Sequence, residues 1–173
     1  MRARSAAGFT IIELMIVLVI VAVMVSLAGP NVRDLIVRIR LKTAASDLHT
    51  SLTLARSEAI KRNAGMQVVP VSAANWALGW SVRVQASGDV LSQQQSYPSV
   101  TFVSTNAAYA ATTVPSVTFS GTGRETGSAG AGVAFVIQST EHPLIKARCV
   151  VLDPSGRPAV RQDADTNPAN GCN

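Results

Sequence analysis

The sequence predicts an α+β chain: one long N-terminal helix followed by a β-rich domain. Three observations carry this. Residues Phe9 to Ala28 form an apolar run of 20, interrupted only by Thr10, Glu13 and Ser26. Helical periodicity then continues from Asn31 to the stop signal Asn63-Ala64-Gly65. Beyond residue 65 the pattern changes to short, strand-like runs separated by Gly, Ser, Asn and Pro. A length of 173 residues with 47% apolar side chains suits one globular domain plus an appendage.

As a helix, the apolar run spans about 30 Å, the thickness of a bilayer's hydrocarbon core. Arg2 and Arg4 precede it and predict a cytoplasmic N-terminus, with everything after residue 30 outside. A secretory signal is an alternative, since Ser26-Leu27-Ala28 resembles a small-x-small cleavage site. A plain membrane anchor is another. Glu13 suits neither, because a carboxylate near the start of an apolar run costs a few kcal/mol unless a partner meets it.

Past Asn31 the helix carries two apolar stripes. At ~100° per residue, Val32, Leu35, Ile36 and Ile39 share one face. Leu41, Ala44, Ala45, Leu48, Leu52, Ala55 and Ala59 share nearly the opposite face, while Leu54 and Ile60 fit neither. The second stripe is expected to pack on the chain's own sheet. The first is expected to face neighbouring subunits, unless loops of the same chain cover it.

Six strands are predicted: Met66–Val71, Trp80–Val84, Val100–Val103, Val117–Phe119, Val133–Ile137 and Ile145–Leu152. Trp80, Val82 and Val84 alternate with Ser81, Arg83 and Gln85, as in a half-buried strand. Asp153-Pro154-Ser155-Gly156 reads as a turn into a basic segment, and Ser104–Thr113 as a loop.

The charge of +5 and pI near 9.9 invite a nucleic-acid reading. The surplus is local, however. From Arg33 to Arg62 there are seven basic residues against three acids, and after residue 63 six against six. The C-terminal domain is thus neutral overall. Cys149 and Cys172 suit a disulfide in an exported domain, the alternative being two unrelated thiols. His49 and His142 stand far apart without a cysteine cluster, so no metal site is expected. No catalytic constellation and no phosphate-binding G-x-x-x-x-G-K-[ST] loop is found, which predicts a non-enzyme without cofactor.

The segment G-F-T-x-I-E, formed by Gly8, Phe9, Thr10, Ile12 and Glu13, resembles the processing signature of type IV prepilins. The segments LKTAASDLHTSLTLARSEAIKRN, NWALGWSVRV, VTFSGTGR and RCVVLDPSGRPAVR are similar to successive landmarks of the H-type (GspH/FimT/FimU) minor pilin family. The resemblance implies the type IV pilin fold, a long helix packed on an antiparallel sheet domain. It divides the chain into a leader (1–8), a transmembrane and filament-core helix (9–29), an amphipathic continuation (30–63) and a periplasmic domain (64–173). It further implies that a prepilin peptidase cuts between Gly8 and Phe9 and methylates the amino group of Phe9. Glu13 would neutralise that amino group on an adjacent subunit, and Pro30 would bend or locally melt the helix. The implied partners are other minor and major pilins, an inner-membrane assembly platform and the inner membrane itself. The implied role is to initiate or cap a type IV pilus, with a pseudopilin of type II secretion as the alternative.

A DNA-binding role is the remaining alternative. Lys146, Arg148, Arg157 and Arg161 cluster around the last turn. Some FimT-like members bind double-stranded DNA through a C-terminal G-R-x-R motif. This chain reads Gly156-Arg157-Pro158-Ala159-Val160-Arg161, so its second arginine comes two residues late. Trp76, Trp80, Tyr97 and Tyr109 are not interleaved with these cations as a stacking platform requires.

Overall fold

A computed structural model describes residues 9–72, 75–106, 114–127 and 132–164, without the side chains of 26–31 and 106. The chain divides into two units, one ending at Ile36 and the other beginning at Val37. Helix α1 runs from Ile11 to Arg62. It ends where the sequence places its stop: Asn63 adopts a left-handed φ of 47°. The Asn63 N–H donates to the Ile60 carbonyl at 3.2 Å and the Ala64 N–H to that of Ala59 at 3.1 Å. This bond pair satisfies two carbonyls that the helix end leaves open.

Eight strands follow: β1 (Met66–Ser72), β2 (Asn75–Val84), β3 (Val90–Gln94), β4 (Val100–Asn106), β5 (Val117–Phe119), β6 (Val133–Ser139), β7 (Arg148–Leu152) and β8 (Pro158–Gln162). They form two antiparallel four-stranded sheets, ordered β3-β2-β1-β5 and β4-β6-β7-β8. One core joins them to the second unit's part of α1. Leu41, Ala44, Ala45, Leu48, Leu52, Ala55 and Ala59 are all buried in it, as the second stripe predicts. The four alanines let the sheets approach the helix closely. Met66, Val68, Trp80, Val82 and Phe119 face them from the first sheet, and Phe135, Ile137, Val150 and Leu152 from the second. The first-stripe residues Val32, Leu35, Ile36 and Ile39 are exposed.

The sequence reading departs from the structure at five places, one of them β8, which was expected only as a basic segment after the turn. β2 starts five residues early, at Asn75, and its register against β1 shifts between Pro70 and Ser72. Gly79 permits this irregular stretch, with φ +97° and a Cβ position only 2.3 Å from the Gln94 carbonyl oxygen. β3 was not foreseen because Val90-Leu91-Ser92-Gln93-Gln94 is a largely polar, exposed edge strand. Ser104 and Thr105, expected in a loop, are buried in β4 and pair with Phe135 and Ala134. Ile145–Ala147 is not strand: the Ile145 N–H closes a turn onto the His142 carbonyl at 3.1 Å. Its apolar residues are buried by packing, without a ladder.

Candidate functional site

Phe9 precedes α1 and is 85% exposed. Thr10 caps the helix, its Oγ1 accepting the Glu13 N–H at 3.2 Å while its carbonyl accepts the Leu14 N–H at 3.2 Å. Thr10-x-x-Glu13 is therefore the frame of a capping box, with the acid in the first turn beside the positive end of the helix dipole. Glu13 makes no ion pair among the described residues, so its carboxylate stays available. Gly8, the other half of the expected cleavage site, lies outside the described residues. The backbone is helical through Pro30, whose side chain is also outside them.

From Ile11 to Val25 the large apolar side chains are exposed, with Ile, Val, Leu and Met on every side of the helix. Among the described residues no helix is long and apolar enough to cross a membrane. The described apolar stretch stops at Val25, short of the sequence run that continues to Ala28.

The hairpin β7–β8 holds the basic cluster but divides it. Arg161 pairs with Cys149, and Arg148 with Gln162. Cross-strand partners share a face and neighbours alternate. Arg148 thus lies on the face of Val150 and Leu152, towards the core, and Arg161 on the face of Cys149. The Lys146 ammonium donates to the Ala164 carbonyl at 2.7 Å. The Arg157 side chain is exposed and its backbone N–H donates to Asp153 Oδ1 at 3.0 Å. Asp153 also accepts the Ser155 hydroxyl, which, with the Arg157 N–H, holds its carboxyl below the usual carboxylate range. Cys149 is buried and disulfide-bonded, while Cys172 lies outside the described residues.

Sequence reasoning missed Arg56. Its Nε donates to the Gly123 carbonyl at 3.1 Å and its Nη2 to the Ser155 carbonyl at 3.5 Å. One guanidinium thereby joins α1 to the turn after β5 and to the turn between β7 and β8. Gly123 and Gly156 both have positive φ, and a Cβ on Gly156 would come within 2.1 Å of the Gly123 carbonyl oxygen. The two turns touch through bare backbone. The signal was present as three separate landmarks, Ala55-Arg56-Ser57, Gly121-Thr122-Gly123 and Ser155-Gly156-Arg157, and nothing in the spacing linked them.

A second polar centre sits nearer the start of this unit. The Tyr97 hydroxyl donates to Asp47 Oδ2 at 2.6 Å and accepts the Gln94 amide at 2.7 Å. Its ring stacks on Trp80 at 5.6 Å, and the Trp80 indole donates to Ser51 Oγ at 2.9 Å. Burial, and then the Asp47 carboxylate, push the Tyr97 hydroxyl well above the ordinary tyrosine range. Among the described residues no group of three or more His, Cys, Asp or Glu could hold a metal ion.

Residues 44–156 match the family described as type II transport protein GspH. This chain belongs to the GspH family. Residues 3–29 match the prokaryotic N-terminal methylation motif, which carries the prepilin-type processing signature. The GspH-family domain resembles the type IV minor pilin FimU of Pseudomonas aeruginosa, with a TM-score of 0.59 at 21% identity over 75% of this chain and 97% of that one. It also resembles the minor pseudopilin EpsH of the type 2 secretion system of Vibrio cholerae, with a TM-score of 0.51 at 12% identity over 71% and 95%. At these identities the likeness is one of fold, and the fold is that of type IV pilin-like proteins. No curated protein sequence matches the chain. The GspH family comprises minor pilins and pseudopilins of pili and type II secretion, which are structural proteins.

Proposed function

We propose that this chain is a minor pilin that initiates or caps a type IV pilus, acting by packing against other pilins. A prepilin peptidase removes residues 1–8 and methylates Phe9. Residues 9–29 hold the subunit in the inner membrane, N-terminus inside, until the assembly platform transfers it to the filament. The observation that carries this reading is the uncovered apolar surface from Ile11 to Val25, beginning with a capped turn that presents Glu13. A chain with no other use for that surface would be insoluble. A pairing of Cys149 with Cys172 would close a 24-residue loop and add roughly 3 kcal/mol to the exported domain.

The test is Glu13→Ala in the full chain. Leader removal is expected to proceed, while incorporation into sheared filaments falls. Filament incorporation equal to the parent would remove the docking role. Replacing Gly8 is expected to leave the leader attached, read as an unchanged precursor mass.

The family description and the EpsH-like fold favour a second reading, a pseudopilin of type II secretion. Deleting the gene discriminates: loss of pili supports the first reading, and loss of secreted protein the second. The DNA alternative gains no support from the hairpin, because Arg148 and Arg161 lie on opposite faces and Lys146 is bonded to Ala164.

A further inference from the structure

We infer that the groove beside Arg40 binds the phosphate of an anionic phospholipid from the membrane that holds the subunit before assembly; this rests on the membrane-anchored reading above. The groove is open, about 240 Å³, and is lined by Ile39, Arg40, Thr43, Tyr97, Pro98 and Val100. Its walls are apolar apart from one cation. Arg40 makes no ion pair or hydrogen bond among the described residues, and neither do the exposed Arg38 and Lys42 beside it. Asp47 and Glu141 keep their charge but turn to hydroxyls: Asp47 accepts that of Tyr97, and Glu141 that of Ser99 at 2.5 Å. The groove therefore offers a cation that makes no ion pair, above an apolar wall. That is the complement of a lipid phosphate joined to its glycerol and acyl chains.

The distribution of charge along the chain points the same way. Arg33, Arg38, Arg40 and Lys42 follow the apolar run on the side to be exported, against Arg2 and Arg4 on the retained side. Basic residues so placed oppose the required orientation. They are explained if they meet an anionic surface there. Arg38 follows Ala28 by ten residues in the sequence. Helical side chains lean towards the N-terminus, so these cations lean back along α1. Leu144 is a further exposed apolar side chain of this domain. It is 88% exposed, on the β6–β7 loop that the Thr140 N–H fastens to the Ser99 carbonyl at 3.2 Å, next to Pro98.

The test uses the full chain in a neutral detergent, followed by native mass spectrometry with added phosphatidylglycerol or phosphatidylcholine of identical acyl chains. Phosphatidylglycerol is expected to bind about tenfold more tightly. The triple variant Arg38→Gln, Arg40→Gln, Lys42→Gln is expected to abolish that preference. Thr43→Phe, which fills the groove without changing charge, is expected to weaken it several-fold. Equal binding of the two lipids, a triple variant that keeps the preference, or a loss that follows Arg2→Gln, Arg4→Gln instead would each overturn the site. So would an acidic peptide that displaces phosphatidylglycerol. Carbonate extraction of cell membranes separates this from the parent reading. A chain that stays in the membrane yet shows no lipid preference sinks the lipid site alone, and a chain that is released sinks both.

Discussion

The two parts of α1, before and after the unit boundary at Val37, use apolar residues to opposite ends. Up to Ile36 they are large and outward: Ile, Val, Leu and Met are exposed along the whole described stretch. From Val37 most narrow to one stripe containing four alanines, buried beneath two sheets, with Ile39 and Ile60 left outside it. Hydrophobicity alone does not distinguish these parts. Side-chain size and angular spread do. An alanine stripe admits a close, fixed partner such as a sheet of the same chain, whereas a full collar of large residues suits lipid or the helices of other subunits.

The sharpest way to break this comparison is a pair of truncations. Trp80→Ala removes a fully buried ring that stacks on Tyr97 and bonds to Ser51. It is expected to cost about 3–5 kcal/mol in denaturant unfolding of the domain. Leu18→Ala, in the exposed part, is expected to change that unfolding by less than about 0.5 kcal/mol while reducing filament incorporation. Equal destabilisation by both would show that the two parts do not differ in this way.

Next in size is Arg56→Ala, expected to cost about 1–3 kcal/mol, because two backbone carbonyls lose a charged donor. Hydrogen exchange should quicken at both the Gly123 and Gly156 turns. Acceleration at one turn only would show that the guanidinium does not link them. A smaller effect is expected at high pH. The Tyr97 hydroxyl is raised, so its contribution is present in full below the unfolded tyrosine value near 10 and is lost as pH climbs from there towards the folded value. Tyr97→Phe should flatten that alkaline loss in a pH series of melting midpoints.

The smallest effect is acidic. Asp153 is lowered, chiefly by the Ser155 hydroxyl, so its contribution holds above the unfolded aspartate value and fades as pH falls through the folded one. Ser155→Ala should shrink the acid sensitivity by a few tenths of a kcal/mol, given the exposure of the site.

The parts of the fold legible in the sequence were those governed by one local rule. The stripe from Leu41 to Ala59 follows from helical period, and the stop at Asn63 from the left-handed tolerance of asparagine. The N-terminal methylation motif was legible because its residues lie close together in the sequence, and the motif matches over residues 3–29. What escaped depends on distant partners. β3 is strand because β2 offers it a ladder, since its own residues carry little β signal. Thr105 is buried because it pairs with Ala134, 29 positions away. The arginine cluster looked coherent in one dimension, but strand alternation and register separate Arg148 from Arg161. Arg56 stayed hidden because its carbonyl partners lie 67 and 99 residues downstream and carry no side-chain signature.

Arg56 has a mechanical consequence. The turn it holds at Gly123 belongs to the first sheet, and the turn at Ser155 to the second. Tension applied along α1 would therefore reach both sheets in parallel at this side chain as well as through the buried stripe, sharing the load between them. A domain fastened in this way resists peeling one layer at a time.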